Sequence, residues 1–313
     1  MINLFNIENY SIDMSKFAHV LHDQCVTDLE NTIAKYVGAN YACGVSSATN
    51  AIFLSMLNKN QTVDIPSMIP AVVPNALITS GNRINFTDDT DWIGNSYVLH
   101  DFGNYKIIDS AQKIEKDQYV NEANDGDLMI FSFYPTKPIG SIDGGMVVSN
   151  DEEKINWFRE ATLNGMSFAK ANWDRKIRFP GYKMYLNSIQ AYVANENFKK
   201  YEAKLENLRT IREIYNLEFG LENTSSHLYR VPVNNNNEIL VSLKQRGIIS
   251  GIHYECLHRN PVYTSKALGN VKSSHPRSET ASCRMLSIPF HEKLKEEDIN
   301  KVIKEVKNYV KVL

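Results

Sequence analysis

Residues 131–145 read FSFYPTKPIGSIDGG, and the role of this stretch decides the fold. Phe131-Ser132-Phe133-Tyr134 is strand-like, because large aromatic residues suit a pleated, half-buried surface. Pro135 and Pro138 stop any helix from running across the lysine between them, Lys137. Beyond it, Gly140, Gly144 and Gly145 let the backbone turn tightly or approach a ligand closely. A lysine so placed is either a solvated loop charge or an amine held at the mouth of a site.

The chain around this stretch has 313 residues, enough for a large core and for two domains or one unit with a smaller lobe. Residues 1–200 are expected to form the larger domain, its first helix free to join the smaller lobe, and residues 201–313 the smaller α/β domain. With 43% hydrophobic residues, 22% charged and a net charge of −2, composition argues against a basic nucleic-acid surface or a polybasic membrane anchor. Met1-Ile2-Asn3-Leu4 lacks the pattern of a signal peptide, and no apolar run approaches a membrane span. Cys25, Cys43, Cys256 and Cys283 show no C-x-x-C spacing. They read as free thiols of a cytoplasmic protein, with no metal site expected. The one low-complexity patch, Asn234 to Asn237, reads as a polar turn.

Working outward, Lys16 to Val37 has helical spacing and ends at Gly38. Tyr41 to Val45 reads as a short buried strand, after which Ser46-Ser47-Ala48-Thr49 opens a helix. Strands are predicted at 62–65, 83–86, 96–100, 106–108 and 128–133. Helices are predicted at 71–79, 152–163 and 186–219, the last continuous or broken. Segments at 228–231, 237–246, 252–254 and 296–311 supply the smaller lobe. The alternation up to about residue 200 predicts a mostly parallel sheet covered on both faces. SYVLHDFGNYKIID, residues 96–109, resists that scheme. Its two strand-like runs are too close for a parallel crossover, so either one is not a strand or the two are not parallel neighbours.

Three features then converge. A helix start at Ser47, Ala48 and Thr49 suits an anion. Asp109 closes an apolar strand in KIIDSAQ, and Lys137 follows the next strong strand. Strand C-termini of an open parallel sheet gather on one edge, where ligands bind. An amine, a carboxylate and a phosphate cradle together match pyridoxal phosphate: the lysine for a Schiff base, the carboxylate to keep the pyridine nitrogen protonated.

FSFYPTKPIGSIDGGMVVSND is similar, almost residue for residue, to the F-S-F-Y-P-T-K-N-L-G…G-D-G-G stretch of DegT-type sugar aminotransferases, which have the aspartate aminotransferase fold (fold type I). IIDSAQ, YACGVSSATNA, GYKMYLNSIQA, GIHYECLHRNPVY and MLSIPFHEKL resemble further stretches of that family in the same order along nearly the whole chain. The resemblance implies Lys137 as the Schiff-base lysine and proton carrier, Asp109 on the pyridinium nitrogen and Gln112 beside the ring's phenolic oxygen. It implies Ser132, Ala48 and Thr49 on the phosphate, and places His253, Tyr254 and His258 in the substrate-side loop. It further implies a homodimer, glutamate as amino donor and a keto sugar, nucleotide-linked, as acceptor.

Departures from the family pattern are specific. Ala48 replaces a glycine, Pro70 stands where an aromatic ring stacks on the cofactor, and Lys113 follows Gln112 where histidine is usual. Lys183 replaces an asparagine that reaches the phosphate from the partner subunit, and as a point charge it can still neutralise phosphate. The helix expected between His100 and Lys106 has no room. Two rivals follow. One is a sugar dehydratase of the same family, against which an intact Lys137 counts. The other is a cofactor-poor structural or regulatory relative.

Overall fold

The computed structural model describes residues 1–167, 174–264, 268 and 274–310. In chain order the larger part contains α1 (Gln24–Val37), β1 (Tyr41–Val45), α2 (Ala48–Ser55), β2 (Thr62–Pro66), α3 (Val72–Thr79) and β3 (Arg83–Thr87). There follow β4 (Tyr97–Asp101), β5 (Lys106–Asp109), α4 (Gln118–Glu122), β6 (Leu128–Ser132), β7 (Gly145–Ser149), α5 (Glu152–Thr162) and α6 (Ser188–Phe198). The remainder is α7 (Tyr201–Phe219), β8 (Tyr229–Pro232), α8 (Asn236–Gln245), α9 (Pro276–Arg284), β9 (Met285–Ile288) and α10 (Glu296–Val306).

The sheet that carries the lysine motif has the order β1-β7-β6-β5-β4. It is mixed, not mostly parallel: only the β5–β6 pair is parallel, while β1–β7, β6–β7 and β4–β5 are antiparallel. Two local causes account for this. The sequence GMVVS, buried at every position, forms β7, a strand its uniform apolarity does not announce by alternation. The second cause is the awkward pair at 96–109, which is a hairpin. Phe102 N–H donates to the Tyr105 carbonyl at 2.9 Å, and Gly103 at φ +85 with Asn104 makes the two-residue turn. The missing helix has therefore reversed β4.

Because of these directions, the C-terminal ends of β1, β5 and β6 and the N-terminal ends of β4 and β7 share one edge. The sheet is buried on both faces by strict alternation. Cys43, Ile107, Ile130 and Val147 join one apolar cluster with α2, α3 and α5. Ala42, Ile108, Met129 and Val148 join another with α1 and α6. Full burial of each Ile, Val or Met among them contributes about 1.5–3 kcal/mol. A third cluster unites Ile2 and the second half of α7 with β8, β9, α8 and α10.

Other boundaries shift for equally local reasons. Helix α1 begins only after Asp23, whose carboxylate accepts from the N–H groups of Gln24 and His19, so residues 17–22 do not continue it. The long predicted helix breaks at Lys199-Lys200 into α6 and α7. Asn235 caps α8, so the asparagine run is a helix start. Ile252 to Tyr254 form a loop, and β8 pairs with β9 instead. Lys311 lies outside the described residues, and α10 ends at Val306. Among the described residues no helix is long and apolar enough to cross a membrane.

Candidate active site

At the shared edge, β1 runs out into Ser47, which is extended and caps α2 by accepting from Asn50 N–H at 3.2 Å. The first-turn N–H groups of Ala48 and Thr49 have no carbonyl within the helix and point a partial positive charge outward. Strand β7 packs tightly beneath this turn. A Cβ on Gly145 would lie 2.5 Å from the Ala48 nitrogen, so only glycine permits the approach.

Strand β5 ends at Asp109, which is buried. Its Oδ1 accepts from Ala111 N–H at 2.9 Å, and its Oδ2 accepts from the Tyr97 hydroxyl at 2.8 Å. Three residues on, the Gln112 amide is held at both ends. Its oxygen accepts from Gly94 N–H and its nitrogen donates to the Tyr254 hydroxyl, each at 2.8 Å. After β6, the proline-flanked turn is closed by Lys137 N–H donating to the Tyr134 carbonyl at 2.8 Å. The Lys137 side chain thereby enters the same cavity as Asp109, a space of about 450 Å³.

Electrostatics in this cavity are governed by burial. The Lys137 ammonium is destabilised by desolvation, and its pKa falls to about 8 despite the opposing pull of Asp109. Burial lifts the Asp109 carboxyl above its ordinary value, resisted by the Ala111 N–H, the Tyr97 hydroxyl and Lys137. Burial, reinforced by Lys137, also holds His253 down at about 4 and His227 well below the usual imidazole range. Both histidines are therefore neutral near pH 7, and Lys137 and Asp109 are the opposed charges.

Of the residues the sequence nominated, Ser47, Ala48, Thr49, Asp109, Gln112, Ser132, Lys137, His253 and Tyr254 line this one cavity. Pro70 lines it too, where the resemblance expects an aromatic ring. Two nominated residues lie elsewhere. The ring of His258 is buried between the Ser67 hydroxyl at 2.5 Å and the Glu279 carboxylate at 3.1 Å. Lys183 is exposed, on an isolated bridge to Leu163. Lys113, beside Gln112, is tied to Glu122 at 2.7 Å.

The sequence did not flag Trp92, Tyr97, His227 or Phe5, all of which face the cavity. Trp92 stacks on Tyr254 with ring centres 5.9 Å apart and meets Tyr97 edge-on at 5.0 Å. Phe5 stacks on His227 at 5.6 Å. The signal for Tyr97 was present: Gly-Asn between two strand-like runs marks a hairpin and fixes which strand end faces Asp109.

An amine, a buried carboxylate, a side-chain amide, a hydroxyl and a helix N-terminus thus converge on one cavity. A UDP-4-amino-4,6-dideoxy-N-acetyl-beta-L-altrosamine transaminase of Campylobacter jejuni is 26% identical, over 94% of this chain and 93% of its own. The aminotransferase TlmJ of Streptoalloteichus hindustanus superposes with a TM-score of 0.80 at 20% identity, covering 98% of each chain. A sugar aminotransferase of Streptococcus pneumoniae, Spr1654, solved in its PLP form, superposes at 0.77 with 17% identity, covering 97% of each. These neighbours give the fold alone: α/β, of fold type I, with a mixed central sheet. The sequence profile of the DegT/DnrJ/EryC1/StrS aminotransferase family matches residues 107–307. The chain belongs to the DegT/DnrJ/EryC1/StrS aminotransferase family.

Proposed function

We propose that this chain is a pyridoxal-phosphate-dependent transaminase that moves an amino group from glutamate to a nucleotide-linked keto sugar. The observation that carries the reading is the Lys137 amine, with a pKa brought to about 8, in one cavity with the buried Asp109 carboxylate. The donor set fits the cofactor. Asp109 suits a protonated pyridine nitrogen, and Gln112 suits the ring's phenolic oxygen. Ser132, with the N–H groups of Ala48 and Thr49, suits a phosphate at a helix start. The narrow seat that Gly145 leaves beneath α2 is room a side chain would fill.

When bound, pyridoxal phosphate supplies an aldehyde and an electron-poor ring that takes up the electron pair left by a departing Cα proton. The neutral amine of Lys137 would hold the aldehyde, with water as the leaving group, and once freed by the amino donor would take the Cα proton and deliver it to the cofactor's former aldehyde carbon. Asp109, as a carboxylate, would keep a proton on the ring nitrogen. The neutral His227 and His253 add no competing positive charge. The stacked pair Trp92 and Tyr254 excludes water from one wall.

The acceptor class is supported by the transaminase relative of Campylobacter jejuni, which is named for an amino-sugar nucleotide. Glutamate as donor rests on the family resemblance. A homodimer is part of the reading: Lys183, exposed and outside its own chain's cavity, is available to a second copy's phosphate. A half-reaction tests the assignment. Holoenzyme given glutamate and no sugar should release 2-oxoglutarate in one equivalent per site. A cofactor-loaded protein that dehydrates a sugar nucleotide without releasing 2-oxoglutarate would contradict it.

A further inference from the structure

Tyr97 owes its position to a loop length. Were β4 parallel to β5, its C-terminal residue Asp101 would reach the cofactor edge. The turn at Gly103-Asn104 reverses the strand, so its first residue, Tyr97, arrives there, directly opposite Asp109 in the register. Leu99 bulges out of the pairing and is buried in the core, which pins that register. The Tyr97 hydroxyl donates to Asp109 Oδ2 at 2.8 Å, while Ala111 N–H holds Oδ1 at 2.9 Å. Two donors from different segments thus fix the plane of the carboxylate.

We propose that Tyr97 is a positioning residue for the amino-transfer reaction, its hydroxyl keeping the Asp109 carboxylate ionised and aimed at the ring nitrogen of the cofactor. The inference rests on the cofactor assignment made above. Its physical basis is that a donor to the charged form of a buried carboxylate favours that form, and removing the donor leaves buried charge unsatisfied. The groups facing Asp109 are Tyr97 from β4, Lys137 from the turn after β6 and Tyr254 from the loop after residue 251. Burial drives both tyrosine hydroxyls above their ordinary range, so they remain protonated donors near neutrality. A better-stabilised carboxylate is a weaker base, so the shared proton stays on the ring nitrogen. A ring that kept that proton would withdraw electrons from the Lys137 nitrogen joined to it and let that nitrogen titrate at lower pH.

The test is Tyr97→Phe, read by cofactor dissociation and by the pH midpoint of the bound cofactor's visible absorption. The expected result is cofactor held roughly tenfold less tightly and a midpoint moved to higher pH. Adding Tyr97→Phe to Asp109→Asn should change neither readout, because the hydroxyl acts only through the carboxylate. If Tyr97→Phe folds poorly, 3-fluorotyrosine at position 97 keeps the shape with a stronger donor and should move the midpoint to lower pH. A Tyr97→Phe protein that matches wild type, a shift undiminished in the Asp109→Asn background, or an unmoved midpoint with fluorotyrosine would overturn the proposal. Wild-type protein that takes up no cofactor would instead overturn the cofactor assignment beneath it.

Discussion

Lys137 carries the chemistry only when its amine is neutral, and desolvation in the cavity sets that condition. Its pKa is depressed to about 8, so the reactive form grows as pH rises and saturates above that value. Cofactor uptake followed by absorbance should therefore speed up about tenfold per pH unit below 8 and level off above it. An uptake rate independent of pH between 6 and 9 would contradict this. Asp109→Ala should lower transamination on the order of 10²- to 10³-fold, the scale of losing one preorganised electrostatic partner. Its substrate KM should change far less. Asp109 was legible because it closes a strand and Lys137 because it follows one, each within a distinctive local pattern, and both do face one cavity. Trp92 and Tyr97 were not nominated, because their facing depends on the direction of β4, which is recorded by the Gly103-Asn104 turn and not by either aromatic residue. His258 was nominated from its loop alone, and its bonds to Ser67 and Glu279 hold it in a separate buried cluster.

The elements that hold these residues meet at two narrow places. One is the contact of β7 with the start of α2, where a methyl group on Gly145 would sit 2.5 Å from the Ala48 nitrogen and 2.8 Å from the Ser47 carbonyl carbon. Gly145→Ala should therefore lower stability by about 1–3 kcal/mol in denaturant titration. It should also weaken phosphate-dependent cofactor retention more than binding of pyridoxal without phosphate. Unchanged stability together with unchanged retention would show that the contact relaxes freely. The other narrow place is the β4–β5 turn. Capping residues and apolar periodicity made most helices readable, as at Ser47 for α2 and Gly38 after α1. Strand direction was less so. GMVVS has no period to read, and two strands joined by Gly103-Asn104 look parallel only if a crossover helix is assumed between them.

Across the whole molecule, two apolar clusters pack the sheet whose edge presents the site, and a third is built on Ile2 with residues from α7 onward. The family resemblance ran through nearly the entire chain, so the fold was readable in outline, whereas no residue pattern specifies the sugar or the donor. If two copies complete the site, the protein should sediment at twice the mass of the chain. Lys183→Ala should then release the cofactor roughly tenfold more readily without changing that mass. A variant that holds the cofactor as tightly as wild type would remove Lys183 from the site. The most direct test of the central claim is chemical. The purified protein is incubated with pyridoxal phosphate, reduced with borohydride, digested and weighed by mass spectrometry. The expected result is one phosphopyridoxyl group per chain, on Lys137, and none in Lys137→Ala. A label spread over surface lysines, or one that persists in Lys137→Ala, would contradict the account.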